Sequence, residues 1–221
     1  MAEDLLTDDE QWEAIKRWTT ENGVWLLGGV ALGGVLLFGY RYYESHRMAQ
    51  QVNAAAQFDL MTAAVDANDP AGARRAAGTI MQDYPSSPYA DQAELTLARL
   101  SVDEGQDVNA VAQLTQVMQN SKDSQLRQIA RLRLARVLID QGKPDDAINT
   151  LAAVSPGKFE ARYHEVRGDA LYAKKDSGGA LREYRAALEG SDQRGAESAI
   201  LELKIADLGA AVTPPVEKAG P

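Results

Sequence analysis

The sequence contains no cysteine. This absence excludes disulfide bonds, thiolate metal ligands and cysteine nucleophiles, because each of them needs the sulfur atom. Histidine is scarce as well: His46 lies just after an apolar segment, and His164 falls where a helical repeat usually packs an aromatic ring. We therefore expect a structural role for His164.

The common catalytic and phosphate-binding motifs are also missing. No GxSxG, HExxH, CxxC or GxxxxGK motif occurs, and the glycines of residues 28–34 come without the lysine of a phosphate loop. The acidic residues are spread along helical faces and are not paired as in a carboxylate active site. We predict that the protein is not an enzyme and uses no metal, cofactor or small-molecule substrate.

Aromatic residues make up only 6% of the chain, and its formal net charge is −9. The abundant alanine and leucine favour closely packed helices, so we predict an all-α protein. A negative chain lacks the basic surface that nucleic-acid binding needs. The charge is concentrated in residues 1–23, where seven acids oppose two bases and give −5.

Residues 24–40 form an uncharged apolar segment of seventeen residues, VWLLGGVALGGVLLFGY. As a helix it would extend about 25 Å, close to the thickness of a bilayer core. Aromatic residues flank it on both sides, as in membrane-interface belts. They are Trp18 and Trp25 before or at its start, and Tyr40, Tyr42 and Tyr43 at its end. We predict a single transmembrane helix that anchors the chain in a lipid bilayer.

Two alternatives to an anchor are disfavoured. A cleaved signal peptide needs a short basic region before the apolar run, whereas 23 mostly acidic residues precede this one. A buried helix of a soluble domain would carry glycines at a cost of about 1 kcal/mol each. The orientation stays open, because Lys16 and Arg17 before the segment balance Arg41 and Arg47 after it.

Gly29 and Gly33 form a GxxxG pair, which permits close contact with a second transmembrane helix. The alternative is that glycine is simply common in such helices. Before the span, Trp12, Ile15 and Trp18 recur on one face of a short amphipathic helix, and Thr7 with Glu10 suits its N-terminus. That helix could rest on the bilayer or dock a partner, and we expect Asn22-Gly23 to break or kink it.

The residues after the apolar segment repeat with a period near 34. Each copy has a small residue in one helix, a turn seven residues later and an alanine in the next helix. The first set is Met61, Ala98, Ala135 and Gly168, with methionine as a departure. The turn residues are Asn68, Gly105, Gly142 and Lys175, and the alanines are Ala73, Ala110, Ala147 and Ala180. Glycine suits these turns because it adopts positive φ without strain.

This period and pattern resemble the tetratricopeptide repeat (TPR), a pair of antiparallel helices that stacks into a solenoid. We predict a transmembrane helix at 24–40, a juxtamembrane linker or helix at 41–52 and a TPR-like domain at 53–209. That domain comprises about four helix pairs and a C-terminal capping helix, which has Ile200, Leu203 and Leu208 along one side. Residues 210–221 are expected to be disordered.

In a TPR-like stack, the first helix of each pair lines a concave face. Repeat positions 5 and 12 then form two apolar rows, and position 9 places arginines between them. The candidate partner groove comprises Phe58, Val65, Leu95, Arg99, Val102, Leu132, Arg136, Ile139 and Tyr172. Apolar strips bordered by charge often mark protein-binding sites. The alternative is that the apolar residues serve only packing.

The whole arrangement resembles the YfgM family of Gram-negative bacteria, ancillary subunits of the SecYEG translocon. The likeness rests on the head sequence EAIKRW, followed by ENG, and on the glycine-rich span that ends GYRYY. It implies an inner-membrane protein with a cytoplasmic N-terminus and a periplasmic TPR-like domain. It also implies association with SecYEG, a PpiD-like periplasmic chaperone and translocating client polypeptides, without catalytic residues.

The resemblance predicts a non-catalytic scaffold that couples protein export to periplasmic chaperones. Two other readings stay open at this point: a structural scaffold of the cell envelope or division machinery, and a cytoplasm-facing, membrane-tethered regulator. They differ from the first in the proteins that the domain would contact and in the side of the membrane that it faces.

Overall fold

The structure is a computed structural model that describes residues 8–152, 155–191 and 196–209. Thr7 and the tail of residues 210–221, for which we predicted a capping role and disorder, lie outside these ranges. Contacts divide the chain into two units, residues 1–53 and residues 54–221. The described part of the chain is helical throughout, apart from turns and short connections.

The first helix, α1, extends over Asp8–Asp66 and contributes to both units. The helices that follow are α2 (Pro70–Asp83), α3 (Pro88–Asp103), α4 (Asp107–Asn120), α5 (Ser124–Asp140) and α6 (Pro144–Ala152). After a 3₁₀ turn at Gly157–Phe159 come α7 (Glu160–Ala173), α8 (Ser177–Gly190) and α9 (Ala196–Asp207). Proline begins three of them, since it lacks the N–H that would be unpaired there.

We expected a break or kink at Asn22-Gly23, but α1 continues through both residues without a break. The side-chain amide of Asn22 donates to the carbonyl oxygen of Trp18 at 2.9 Å, a bond that forms within the helix. A bend of 49° lies further on, between Gln11–Trp25 and Leu27–Asp66. Among the described residues, no single straight helix meets the length and apolarity of a membrane span, and these two segments meet them only when taken together.

The predicted turns between paired helices are confirmed. Each adopts positive φ, at 57° for Asn68, 70° for Gly105, 73° for Gly142 and 65° for Lys175. In each turn the next residue donates a backbone N–H to the carbonyl five residues back, as Gln106 does to Ser101 at 2.7 Å. These bonds satisfy carbonyls that the end of the helix leaves unpaired.

The repeat alanines are also confirmed as packing residues. Ala73, Ala110, Ala147 and Ala180 are all fully buried. Four apolar clusters follow one another along residues 54–209, and the first three are each completed by the first helix of the next pair. Stacking of this kind, in which a pair contacts only its neighbours, defines a helical solenoid.

The apolar side predicted for α9 is wrong. Leu201 and Ile205 are buried against α8, whereas Ile200 is 50% exposed and Leu203 is 70% exposed. Leu208, just beyond the helix, packs at the edge of the same cluster. Both sets of residues recur at helical spacing, so only the orientation of α9 on α8 decides which set packs.

Candidate protein-binding surface

The position-5 residues of the predicted groove lie mostly in the core. Leu95 is 6% exposed and Leu132 is 4% exposed, each within an apolar cluster. Phe58 is half-buried, and its ring centroid lies 5.3 Å from that of Tyr89. These side chains are covered because α3 contacts α5 and α5 contacts α7, which closes the space between successive first helices. The row therefore offers little surface to a partner.

The position-12 residues are more accessible. Val102 is 38% exposed and Tyr172 is 49% exposed, whereas Val65 and Ile139 are half-buried against the core. The hydroxyl of Tyr172 donates to Asp207 at 3.1 Å, and this bond is the main cause that raises the pKa of Tyr172. The accessible apolar surface of the predicted groove is thus narrower than two continuous rows.

The position-9 arginines lie on α3 and α5 and are joined by a third arginine. Arg99 is exposed, and Arg136 is half-buried with its guanidinium 3.5 Å from a carboxylate oxygen of Glu165. Arg133 reaches across to α3, where its guanidinium donates to the carbonyl oxygen of Leu95 at 3.5 Å. Burial lowers the pKa of Arg133, and the charges of Arg99 and Arg136 lower it further. We call Arg99, Arg133 and Arg136 the arginine cluster.

Sequence reasoning missed Arg133. It occupies repeat position 6, beside the predicted inward positions, and its side chain is long enough to reach the neighbouring helix. The available signal was the three-residue spacing of Arg133 and Arg136 on α5, because residues three apart share a helix face.

At the C-terminal end, a lysine of α9 forms ion pairs with two acidic side chains of α7. The ammonium of Lys204 lies 3.0 Å from Glu165 and 2.7 Å from Asp169. Asp169 also accepts from the hydroxyl of Tyr184 at 2.8 Å, and Lys204 lies 5.4 Å from the Tyr184 ring centroid. Burial, then the nearby charge of Asp169, raises the pKa of Tyr184 above its ordinary range. Glu165 and Asp169 of α7 are therefore already paired.

Close packing in the fourth pair depends on a glycine. A Cβ added at Gly168 would lie 2.5 Å and 2.6 Å from two ring carbons of Tyr184, which is itself buried. The small residue predicted at this position is thus required by a tyrosine on the facing helix α8. His164 lies one helical turn before Gly168, is half-buried, and bonds through Nδ1 to Glu183 at 2.7 Å.

Residues 24–40 belong to the first unit and carry many exposed apolar side chains. Those that the structure describes as large and exposed are Val24, Trp25, Leu27, Val30, Leu32, Val35, Leu36, Leu37, Phe38 and Tyr40. At Gly29 and Gly33, an added Cβ would meet nothing within 4 Å. Both glycines thus leave open surface on the helix.

The stacked helix pairs define a TPR-like repeat protein. A family model described as a tetratricopeptide repeat-like domain matches residues 16–210. Two solved structures of MamA from Desulfovibrio magneticus RS-1, one comprising residue 41 to the end and the other a double mutant, share the fold. Each has a TM-score of 0.52 and 14% identity, over 71% of this chain and 87% or 94% of the MamA chain.

The ancillary SecYEG translocon subunit of Escherichia coli is 32% identical over 201 residues, which cover 91% of this chain and 96% of that protein. The protein of the same name from Haemophilus influenzae is 29% identical over 66 residues, 30% of this chain and 32% of that protein. The chain belongs to the family of ancillary SecYEG translocon subunits. The resemblance inferred from the head and span is thereby confirmed.

Proposed function

We propose that this chain is a non-catalytic accessory subunit of the SecYEG translocon in the bacterial inner membrane. The observation that carries the proposal is its 32% identity to the Escherichia coli subunit over nearly the full length of both chains. The TPR-like fold supports it, since stacked helix pairs present extended surfaces that bind other proteins.

Residues 24–40 serve as the membrane anchor in this proposal. Their exposed apolar side chains suit a lipid environment, and the seventeen residues without charge are long enough to cross a bilayer core. The N-terminus would lie in the cytoplasm and the TPR-like domain in the periplasm. The flanking charges do not decide this orientation, so it rests on the family resemblance alone.

In the periplasm, the domain would contact a PpiD-like chaperone and hand over translocating client polypeptides. The surface that we propose for these contacts comprises the exposed Val102 of the predicted groove and the arginine cluster, which adds Arg133 to it. Its mixture of exposed apolar area and cationic groups is typical of sites that bind polypeptides.

Affinity purification of the full chain in mild detergent tests the proposal. A tag after Pro221 should recover SecY, SecE and SecG together with the PpiD-like chaperone, in amounts far above those from a tagged, unrelated single-pass inner-membrane protein. Recovery of cell-wall or division proteins without SecY would overturn the translocon assignment.

Reporter fusions after Pro221 test the orientation separately. A reporter that is active only in the periplasm should be active, and one that is active only in the cytoplasm should be silent. The reverse result would place the domain in the cytoplasm and favour a membrane-tethered regulator.

The surface is tested by a matched pair of substitutions. Val102→Asn changes an exposed valine of the predicted groove, and Val108→Asn changes an exposed valine of α4 outside it. We expect the first to reduce recovery of the chaperone severalfold and the second to leave it unchanged, with equal helical content. Equal recovery from both variants would remove Val102 from the binding surface.

Gly29 and Gly33 are proposed as a contact for another transmembrane helix. Leucine at either position should weaken recovery of SecYEG, whereas Gly39→Leu, which also meets no neighbour, should not. If all three variants behave like the wild type, the glycines serve no helix contact with the translocon.

A further inference from the structure

The three side chains of the arginine cluster are gathered by the contact between α3 and α5. Arg133 donates to the carbonyl of Leu95 on α3, and Leu95 precedes Arg99 by one helical turn. Arg136 follows Arg133 by three residues on α5 and so lies on the same face. The fold therefore brings three guanidinium groups from two neighbouring repeats to one part of the surface.

The cluster is incompletely neutralised by the protein itself. Arg99 has Asp103 at 3.9 Å, and both side chains are more than half exposed. Arg136 shares Glu165 with Lys204. Within the described parts of the chain, no carboxylate lies within ion-pair distance of Arg133. The three cations repel one another, and an anion bound between them would relieve that repulsion. The cluster is therefore a local site that favours an anion, even though the whole chain has a net charge of −9.

An apolar side chain lies three residues after an arginine of the cluster on both α3 and α5. Val102 follows Arg99 by three residues, and Ile139 follows Arg136 by three residues, so each helix presents an arginine and an apolar group on one face. Axes of packed helices lie about 8–10 Å apart. A chain in polyproline II conformation advances about 9 Å in three residues and returns to the same side. The neighbouring helices α3 and α5 can thus contact residues that are three apart in an extended peptide.

We infer that this face binds an extended acidic segment of a partner protein, with carboxylates three residues apart and apolar side chains between them. The inference rests on the proposed function in that it takes the TPR-like domain to bind polypeptides. The charge of the site selects an acidic segment, and the neighbouring Val102 and Ile139 favour a polypeptide over a bare anion. Because Lys204 already pairs with Glu165 and Asp169, these two carboxylates are not available to a basic segment.

The test uses the full chain in nanodiscs of zwitterionic lipid. The probe is a fluorescent peptide of four Pro-Glu-Leu triplets, followed by fluorescence anisotropy. Substituting Arg99, Arg133 or Arg136 by glutamine should each weaken binding roughly 1.5- to 5-fold, and the triple substitution roughly tenfold or more. Arg185→Gln, at an exposed arginine of α8, should leave it unchanged. Far-UV circular dichroism checks that each variant stays folded.

Three comparisons make the result decisive. A peptide with glutamine for glutamate should bind at least tenfold more weakly, and one with the four glutamates contiguous should also bind more weakly than the triplet peptide. Affinity should fall as salt rises from about 0.05 M to 0.5 M, because the charges are partly exposed. Equal binding of all three peptides, or equal binding by the triple variant, would overturn the inference.

The cluster could instead serve a lipid headgroup. If the triple variant loses binding to phosphatidylglycerol vesicles while its affinity for the triplet peptide is unchanged, the peptide inference is wrong. Co-purification of SecYEG with the same variants is measured separately. Its absence from wild-type samples would refute the proposed function, whereas its retention with a failed peptide assay would refute only this inference.

Discussion

Gly168 is the position at which a single methyl group should perturb the fold most directly. It lies in the middle of α7, where an added Cβ would approach ring carbons of Tyr184 to 2.5 Å and 2.6 Å, and a third ring carbon to 3.2 Å. Carbon atoms in contact prefer about 3.5–4.0 Å. Gly168→Ala therefore requires α8 or the buried ring of Tyr184 to move by about 1 Å.

Two effects oppose each other in this substitution. Overpacking a well-filled core costs about 1–3 kcal/mol. Replacing glycine by alanine inside a helix stabilises the helix by about 1 kcal/mol. Because the Tyr184 hydroxyl also bonds to Asp169, displacement of the ring adds to the cost, and we place the overpacking term near its upper end. The net destabilisation should be about 1–2 kcal/mol.

Thermal unfolding of the detergent-solubilised full chain, followed by far-UV circular dichroism, measures this change. A loss of about 1–2 kcal/mol corresponds to a fall in Tm of about 2–8 °C for a domain of this size. Gly178→Ala is the matched control, because its Cβ would meet atoms only at 3.8 Å and 3.9 Å. That variant should be as stable as the wild type or more stable by up to about 1 kcal/mol.

The double variant Gly168→Ala, Tyr184→Leu separates steric conflict from other causes. Removing the ring relieves the clash, so the alanine should cost less in the leucine background than in the wild type. If Gly168→Ala is at least as stable as the wild type, Tyr184 does not pack against Gly168 and α7 and α8 lie further apart at this point.

Three further changes test other features. Lys175→Gly should stabilise the fold by about 1 kcal/mol, because Lys175 adopts a φ of 65°, whereas Gly142→Ala, at φ 73° with no neighbour within 4 Å, should destabilise it by about as much. Tyr184→Phe should make stability less dependent on alkaline pH. The pKa of Tyr184 is raised on folding, so its contribution is fully present below about pH 10 and is lost as pH rises above it, by about 1.4 kcal/mol per pH unit. Lys204→Met should cost about 1–2 kcal/mol because half-buried Asp169 loses its cation and half-buried Glu165 keeps only Arg136, whereas Lys174→Met, in a single exposed pair, should cost about 1 kcal/mol or less.

The first and third changes are read by the same thermal unfolding assay, and the second by urea unfolding between pH 8 and pH 11. A destabilising Lys175→Gly would contradict the left-handed turn. An unchanged pH profile in Tyr184→Phe would mean that the hydroxyl is not held in a buried bond. Equal losses of stability in Lys204→Met and Lys174→Met would show that the ion pairs of Lys204 do not stabilise the packing of α9 on α7.

Local patterns in the sequence were enough to predict the helical repeats. The four turn residues recur at matching positions, and each adopts the positive φ that was expected. Such turns depend on a few neighbouring residues, because glycine or a tolerant residue must relieve backbone strain there. The alanines near the start of the second helices follow the turns by five residues, and their regular recurrence matches their burial between paired helices.

Local patterns did not predict which apolar side chains are buried and which remain on the surface. Leu95 and Leu132 were expected to face a groove, yet both lie in the core because successive first helices cover them. On α9, Leu201 and Ile205 pack while Ile200 and Leu203 remain exposed, although both pairs have suitable spacing. A rotation of α9 about its own axis would bury the second pair and expose the first without any change in sequence.

The sequence by itself determined the stacked helix pairs, their turns, the apolar segment of residues 24–40 and the absence of cysteine chemistry. Each of these follows from residue types within a few turns of chain. Only the tertiary structure decided that Arg133 joins Arg99 and Arg136, that Lys204 takes the acids of α7 and that Tyr184 requires Gly168. Those contacts depend on how whole helices are rotated and spaced against one another. Their spacing results from packing the whole core at once, which no local pattern encodes.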